Sequence, residues 1–118
     1  MTQEDKELLL KDLCARLPYG VKIQVPYEDG SGYFDETVWE VNNEGPFHVN
    51  GWGIEYEYVK PYLFPLSSIT KKTLEKLSAY VDIKNAYVAV EIFNSHHIDY
   101  RGLIEKGLAI DATGLNIY

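Results

Sequence analysis

The chain has 118 residues, of which 46% are hydrophobic, 14% aromatic and 25% charged, enough for one ordinary folded domain spanning residues 1–118. This composition excludes a disordered chain, a collagen-like repeat and a coiled coil, and no apolar run approaches the roughly 18 to 20 residues that span a bilayer. With 18 acidic against 11 basic residues the formal charge is −7, which argues against nucleic acid and anionic membrane surfaces as partners.

The first predicted element is an amphipathic helix over residues 3–16. Thr2 has the character of an N-cap, with Asp5 three positions on as in a capping box. Glu4, Asp5 and Glu7 suit the positive end of the helix dipole. Leu9, Leu10, Leu13, Cys14 and Leu17 recur at helical spacing, and Pro18 stops the helix. Cys14 therefore reads as inert packing among leucines, and one cysteine excludes an internal disulfide and a Cys-rich zinc site.

The hydrophobic period then changes from 3.6 to 2. Val21, Ile23 and Val25 alternate with Lys22 and Gln24, the pattern of a half-buried strand. After the turn Asp29-Gly30-Ser31-Gly32, residues 33–42 form a second strand. Thr37, Trp39 and Val41 fall on one of its faces, and Glu36, Val38 and Glu40 on the other. Phe47 and Val49 mark a third strand after Asn43-Glu44-Gly45-Pro46, and Ile54, Tyr56 and Tyr58 a fourth after Gly51-Trp52-Gly53. Residues 60–68 carry Pro61 and Pro65 and read as an apolar loop crossing the sheet edge.

Ser68 is a possible cap for a second helix over about residues 69–80, and Asp82 for a third over about 83–97. The run 87–93 is rich in β-branched and aromatic residues and fits a strand as well; the spacing of Ile83, Ala86, Tyr87, Val90 and Phe93 favours helix. Asp99 can cap a last turn through residues 101–106, ended by Gly107. The expected fold is α+β: a four-stranded antiparallel meander curled toward a small open barrel, in the manner of Src-homology-type modules. An N-terminal helix and two or three C-terminal helices cover it. Leu10, Leu13, Val21, Ile23, Trp39, Leu74, Leu77 and Phe93 are expected in the core, with Leu103 and Ile104 docking the last turn.

The stretches Lys60-Pro61-Tyr62-Leu63-Phe64-Pro65-Leu66-Ser67-Ser68 and Asp99-Tyr100-Arg101-Gly102-Leu103-Ile104-Glu105-Lys106-Gly107-Leu108-Ala109 resemble small proteins of gut Bacteroidetes and their phages. The opening helix followed by Tyr19-Gly20-Val21-Lys22 is similar to theirs as well. The resemblance spans nearly the whole chain, although only these stretches are specific. It implies a host, phage or mobile-element context and an intracellular setting, and it supplies no activity and no catalytic residue.

Few residues point to chemistry. His96 and Asp99 have the i, i+3 spacing of a ligand pair, with His48 a possible third; adjacent His96 and His97 point about 100° apart on a helix and cannot share one ion. A helix end followed by an Asp cap explains the same residues without metal, so no cofactor is predicted. Glu36, Glu40, Glu55 and Glu57 read as a solvated sheet face rather than an acid–base pair. No Gly-x-Ser-x-Gly elbow or phosphate-binding glycine loop is present. The aromatic residues carry more information, because Tyr and Trp join a large apolar body to a polar tip. Tyr33, Trp39, Trp52, Tyr56, Tyr58 and Tyr62 are the candidate partner-binding residues, with Tyr27 beside them. The expectation is a non-enzymatic, cytoplasmic protein-interaction module whose partner is a protein, with a homodimer as one form. The alternatives are a small metal-dependent enzyme centred on His96 and Asp99, and an acidic phage-encoded inhibitor of a host protein.

Overall fold

A computed structural model describes residues 2–27, 29–42, 45–48, 58–69, 71, 72, 75 and 86–118. Helix α1 spans Gln3–Arg16 and opens with the expected capping box: Thr2 Oγ1 accepts from Asp5 N–H at 3.0 Å, and the Asp5 carboxylate accepts from Thr2 N–H at 3.4 Å. A 3-10 turn, Leu17–Tyr19, carries Pro18 just past the helix. Gly20 then adopts φ 69°, where a side chain would be strained, and turns the chain into the sheet.

Strands β1 (Lys22–Pro26), β2 (Tyr33–Asn42) and β3 (Gly45–His48) follow, and each pairs antiparallel with the one before. The alternation of β1 is as read: Val21, Ile23 and Val25 are buried and Lys22 and Gln24 are half-buried. The expected faces of β2 are corrected. Phe34 lies opposite Val25 and Glu36 opposite Ile23, so Phe34, Glu36 and Val38 share the core face, and Val38 is buried. Glu36 is half-buried there and does not lie on a wet face. The register shifts between Val38 and Glu40, a bulge centred on Trp39. Most of the fourth predicted strand, residues 54–57, lies outside the described residues, as do Glu55, Leu74, Leu77 and Asp82.

The largest departure from expectation is the two-proline segment. Lys60–Pro65 is strand β4, paired antiparallel with β1 through Ile23 opposite Pro61 and Gln24 opposite Lys60. Proline tolerates extended φ, and a strand position is closed to it only where the ladder needs its N–H. Opposite Ile23 the pair is therefore of the non-hydrogen-bonded kind. Residues 66–68 form a 3-10 turn, and the Ser68 hydroxyl donates back to the Pro65 carbonyl at 2.6 Å.

Residues 71, 72 and 75 are helical, and α2 spans Ala86–Ser95, so the run 87–93 is helix as expected. Two-residue strands β5 (Ile98–Asp99) and β6 (Ile110–Asp111) both run parallel to β4. The pairing path is β3-β2-β1-β4-β5, with β6 also on β4, and the sheet is not closed. Residues 103–107 are turns rather than a helix.

The core gathers Leu9 and Leu13 of α1, Val21, Ile23, Val25 and Val38 of the first hairpin, Val59 and Leu63 around β4, and Leu103, Leu108 and Ala109 from the C-terminal turns. Leu10 and Ile104 pack against it, and Phe93 is half-buried. Helix α1 is rotated from the expected orientation. Its buried residues are Leu9, Asp12, Leu13 and Arg16, and Cys14 is exposed, not packed among leucines.

Candidate interaction surface

Strand register sorts the sheet into two faces. The face opposite the core carries Lys22, Gln24 and Pro26 of β1, with Thr37, Asp35 and Tyr33 of β2 directly across, and Lys60 of β4 beside Gln24. Of the six residues singled out from sequence, Tyr33 and Tyr58 are exposed, at 64% and 57%. Tyr62 is 4% exposed. Its hydroxyl donates to Asp35 Oδ1 and accepts from Gln24 Nε2 at 3.2 Å, so one side chain of β4 ties together β1 and β2. Burial and then the Asp35 carboxylate raise the Tyr62 pKa, keeping it a hydrogen-bond donor. Trp39 lies on β2 at the bulge, and Trp52 and Tyr56 fall outside the described residues. Tyr27, 47% exposed at the β1–β2 turn, has its ring 5.1 Å from that of Phe34. Tyr33 and Asp35 thus form an aromatic and acidic strip on one strand, with Asp35 exposed beside its bond to Tyr62.

A second polar assembly escaped the sequence reading. Asp12 is fully buried and accepts from Arg16 Nε at 2.9 Å and Arg101 Nη1 at 2.8 Å. Arg16, equally buried, also donates through Nη2 to the Ile98 carbonyl at 2.6 Å. The Tyr100 ring lies near both guanidinium groups, with centroid distances of 5.4 Å to Arg16 and 4.5 Å to Arg101. This assembly fastens α1 to the β5 region. The available signal was the i, i+4 spacing of Asp12 and Arg16, which matches that of Leu9 and Leu13.

Of the residues considered for metal binding, Asp99 is engaged otherwise. Both oxygens of buried Asp99 accept backbone amides, from Leu103 and Ile104, at 2.9 Å each. This is the capping role expected of it, and Gly107 closes the turn with φ 74°. His96 is exposed, and His48 lies on β3. Among the described residues no group of three His, Cys, Asp or Glu side chains is placed to hold a metal ion.

His97 behaves differently from its neighbour. It is 8% exposed, adopts φ 58° and stacks on Tyr118 with ring centroids 3.6 Å apart and planes 10° from parallel. Burial, followed by the nearby positive charges of Arg16, His96 and Lys22, lowers its pKa to about 4, so the imidazole is neutral near pH 7. Burial raises the Tyr118 hydroxyl pKa to about 12.

Comparison of the chain with protein-family models, curated proteins and solved structures finds no match.

Proposed function

We propose that the chain is a non-enzymatic protein-interaction module that engages a basic segment of a protein partner through the aromatic and acidic residues of its sheet. The observation carrying this reading is the strip formed by Tyr33, 64% exposed, and exposed Asp35 on one face of β2. Tyrosine offers contact area at low entropic cost, and a formal charge of −7 favours encounter with a cationic partner. Tyr58, Trp52 and Tyr56 belong to the same proposed surface, on a meander curled toward an open barrel. Tyr62, on the same face, supports it by holding Asp35.

A cytoplasmic location and a phage or mobile-element context belong to this reading and rest on the resemblance described above. In that context the partner would be a host protein, inhibited by the acidic chain. Among the described residues no helix is long and apolar enough to cross a membrane. The alternative, a metal-dependent enzyme around His96 and Asp99, gains no support from a carboxylate whose two oxygens are already held.

The test is affinity capture from host lysate with the intact chain and with a Tyr33→Ala/Tyr58→Ala variant of matched melting temperature. A basic protein retained by the first, released by salt and at least about tenfold depleted on the second, is the expected result. Equal recovery on both, or nothing above background on either, overturns the reading.

A further inference from the structure

The turn that carries His97 is pinned to the sheet by its backbone. His97 N–H donates to the Asn94 carbonyl at 3.1 Å, and its carbonyl accepts from Phe64 N–H of β4 at 2.8 Å. Its φ of 58° is left-handed, a conformation that costs energy in a residue with a β-carbon. Nδ1 of this buried ring has no hydrogen-bond partner. Asn94 Oδ1, three residues earlier, is buried and unpartnered too, so the two atoms do not bond each other. Tyr118 lies over the imidazole, with ring centroids 3.6 Å apart.

That cover is lightly attached. Tyr118 is 42% exposed and is reached through residues 113–116, which are all exposed and bend at Gly114 and Asn116 with φ 77° and 55°. Its hydroxyl accepts from Lys22 N–H at 2.9 Å and donates to the Tyr62 carbonyl at 2.8 Å, and Lys22 Nζ donates to the Ile117 carbonyl at 2.9 Å. None of these bonds belongs to a strand ladder. Residues 113–118 can therefore lift away while β1 stays paired with β4, and β4 with β6.

The surroundings of His97 favour a neutral ring. Arg16 of α1, Lys22 of β1 and His96 in the same turn all act against a positive charge there. Asp12 is held by Arg16 and Arg101, and Asp99 by two backbone amides, so neither carboxylate bonds the imidazole. The hydroxyls of Tyr62 and Tyr118, both shifted upward, stay uncharged. A charged imidazole carries a proton on each nitrogen, and the one on Nδ1 would be buried without an acceptor. The face of Tyr118 offers cation–π attraction, which burial and the three cations outweigh.

We infer that protonation of His97 is a release for residues 113–118: the charged ring reaches water by displacing Tyr118 from its face, and Ile117 and Tyr118 leave the sheet while the core stays formed. The coupling is reciprocal, so docking of Tyr118 holds His97 neutral. This acid-sensitive latch is independent of the Tyr33 strip and of the partner proposed for it.

The test is amide hydrogen exchange of the full chain, followed by nuclear magnetic resonance between pH 7 and 4, with each rate referred to its intrinsic value. Release restores an ordinary His97 value near 6.5, so the protection of Lys22 N–H, the donor to Tyr118, should fall about 100-fold over this range. Lys22 should also be less protected than Val38 N–H, which donates to the Val21 carbonyl in the core hairpin. In low urea its protection should stay level while that of Val38 declines, because local release exposes little surface. In His97→Phe, which keeps a ring under Tyr118 but has no proton to gain, the acid-dependent fall should disappear. In Tyr118→Ala the His97 pKa, read from its imidazole resonances, should rise from about 4 toward 6.5. Should either variant fail to fold, the exchange of the unaltered chain decides alone. Three results overturn the inference: Lys22 protection that changes less than about tenfold with acid or matches Val38 in size and urea dependence; a fall that persists in folded His97→Phe; or a His97 pKa that remains near 4 in folded Tyr118→Ala.

Discussion

On the core side of the sheet, Val21, Ile23 and Val25 share one cluster with Leu9 and Leu13 of α1. On the other side, Tyr62 and Tyr118 reach Asp35, Gln24, Lys22 and a backbone carbonyl through their hydroxyls. The first arrangement is non-directional and scales with buried apolar area. The second depends on named partners far apart in sequence, such as Tyr118 and Lys22, 96 residues apart. The Asp12–Arg16–Arg101 assembly joins α1 to the C-terminal segment and obeys the second logic inside the first environment. Apolar packing thus holds Leu103, Leu108 and Ala109 in the core, while directional bonds fix where Asp99, Arg101 and Tyr118 attach.

The sharpest way to break this contrast is Asp12→Ala, which leaves Arg16 buried without its counter-charge. A loss of about 3–5 kcal/mol is expected in urea unfolding, with part of it recovered in Asp12→Ala/Arg101→Ala. A loss below about 1 kcal/mol would show that water reaches the guanidinium and that the apolar environment is not as drawn. Next comes Leu13→Ala, fully buried in the cluster, with an expected cost of about 3 kcal/mol and an unchanged denaturant slope.

The third prediction concerns pH. The folded-state pKa of His97, about 4, lies below the unfolded value near 6.5. Between these values the unfolded chain binds more protons. The contribution of neutral His97 is therefore complete above about pH 6.5 and is lost as pH falls toward 4. After allowance for solvent screening it amounts to about 1–2 kcal/mol, and it should vanish from the pH profile of a His97→Phe variant. An unchanged profile would mean that His97 titrates normally and does not stay under Tyr118. The smallest effect is at the start of α1, where Thr2→Ala removes the capping box. It should cost about 1 kcal/mol and speed amide exchange at Asp5, with residues 94–118 unaffected.

How much was legible follows from the same contrast. Thr2, Asp5 and the leucine spacing define α1 from neighbouring residues alone. The alternation at 21–25 and the turn at 29–32 likewise define the first hairpin. The capping role of Asp99 was readable because its partners lie four and five residues away. Pro61 and Pro65 misled because proline reports a missing donor and not whether a ladder needs that donor. Only the pairing of Ile23 with Pro61 answers this. Strands β5 and β6, two residues each, are too short to carry a period. The burial of Asp12 and Arg16 was missed because charged residues on a helix are ordinarily solvated, and Arg101, which completes the group, lies 89 residues from Asp12.

The amino-acid sequence by itself determined the α+β class, the limits and capping of α1, the first hairpin, the helical state of residues 86–95 and the acidic charge. All of these rest on interactions within a few residues or on composition. Tertiary structure alone decided that a two-proline segment becomes a strand beside β1, that Tyr62 is buried on the same sheet face where Tyr33 stays exposed, and that the Tyr118 hydroxyl bridges Lys22 N–H and the Tyr62 carbonyl. Each of those outcomes depends on which distant donor, acceptor or ring stands opposite, and no local pattern encodes that.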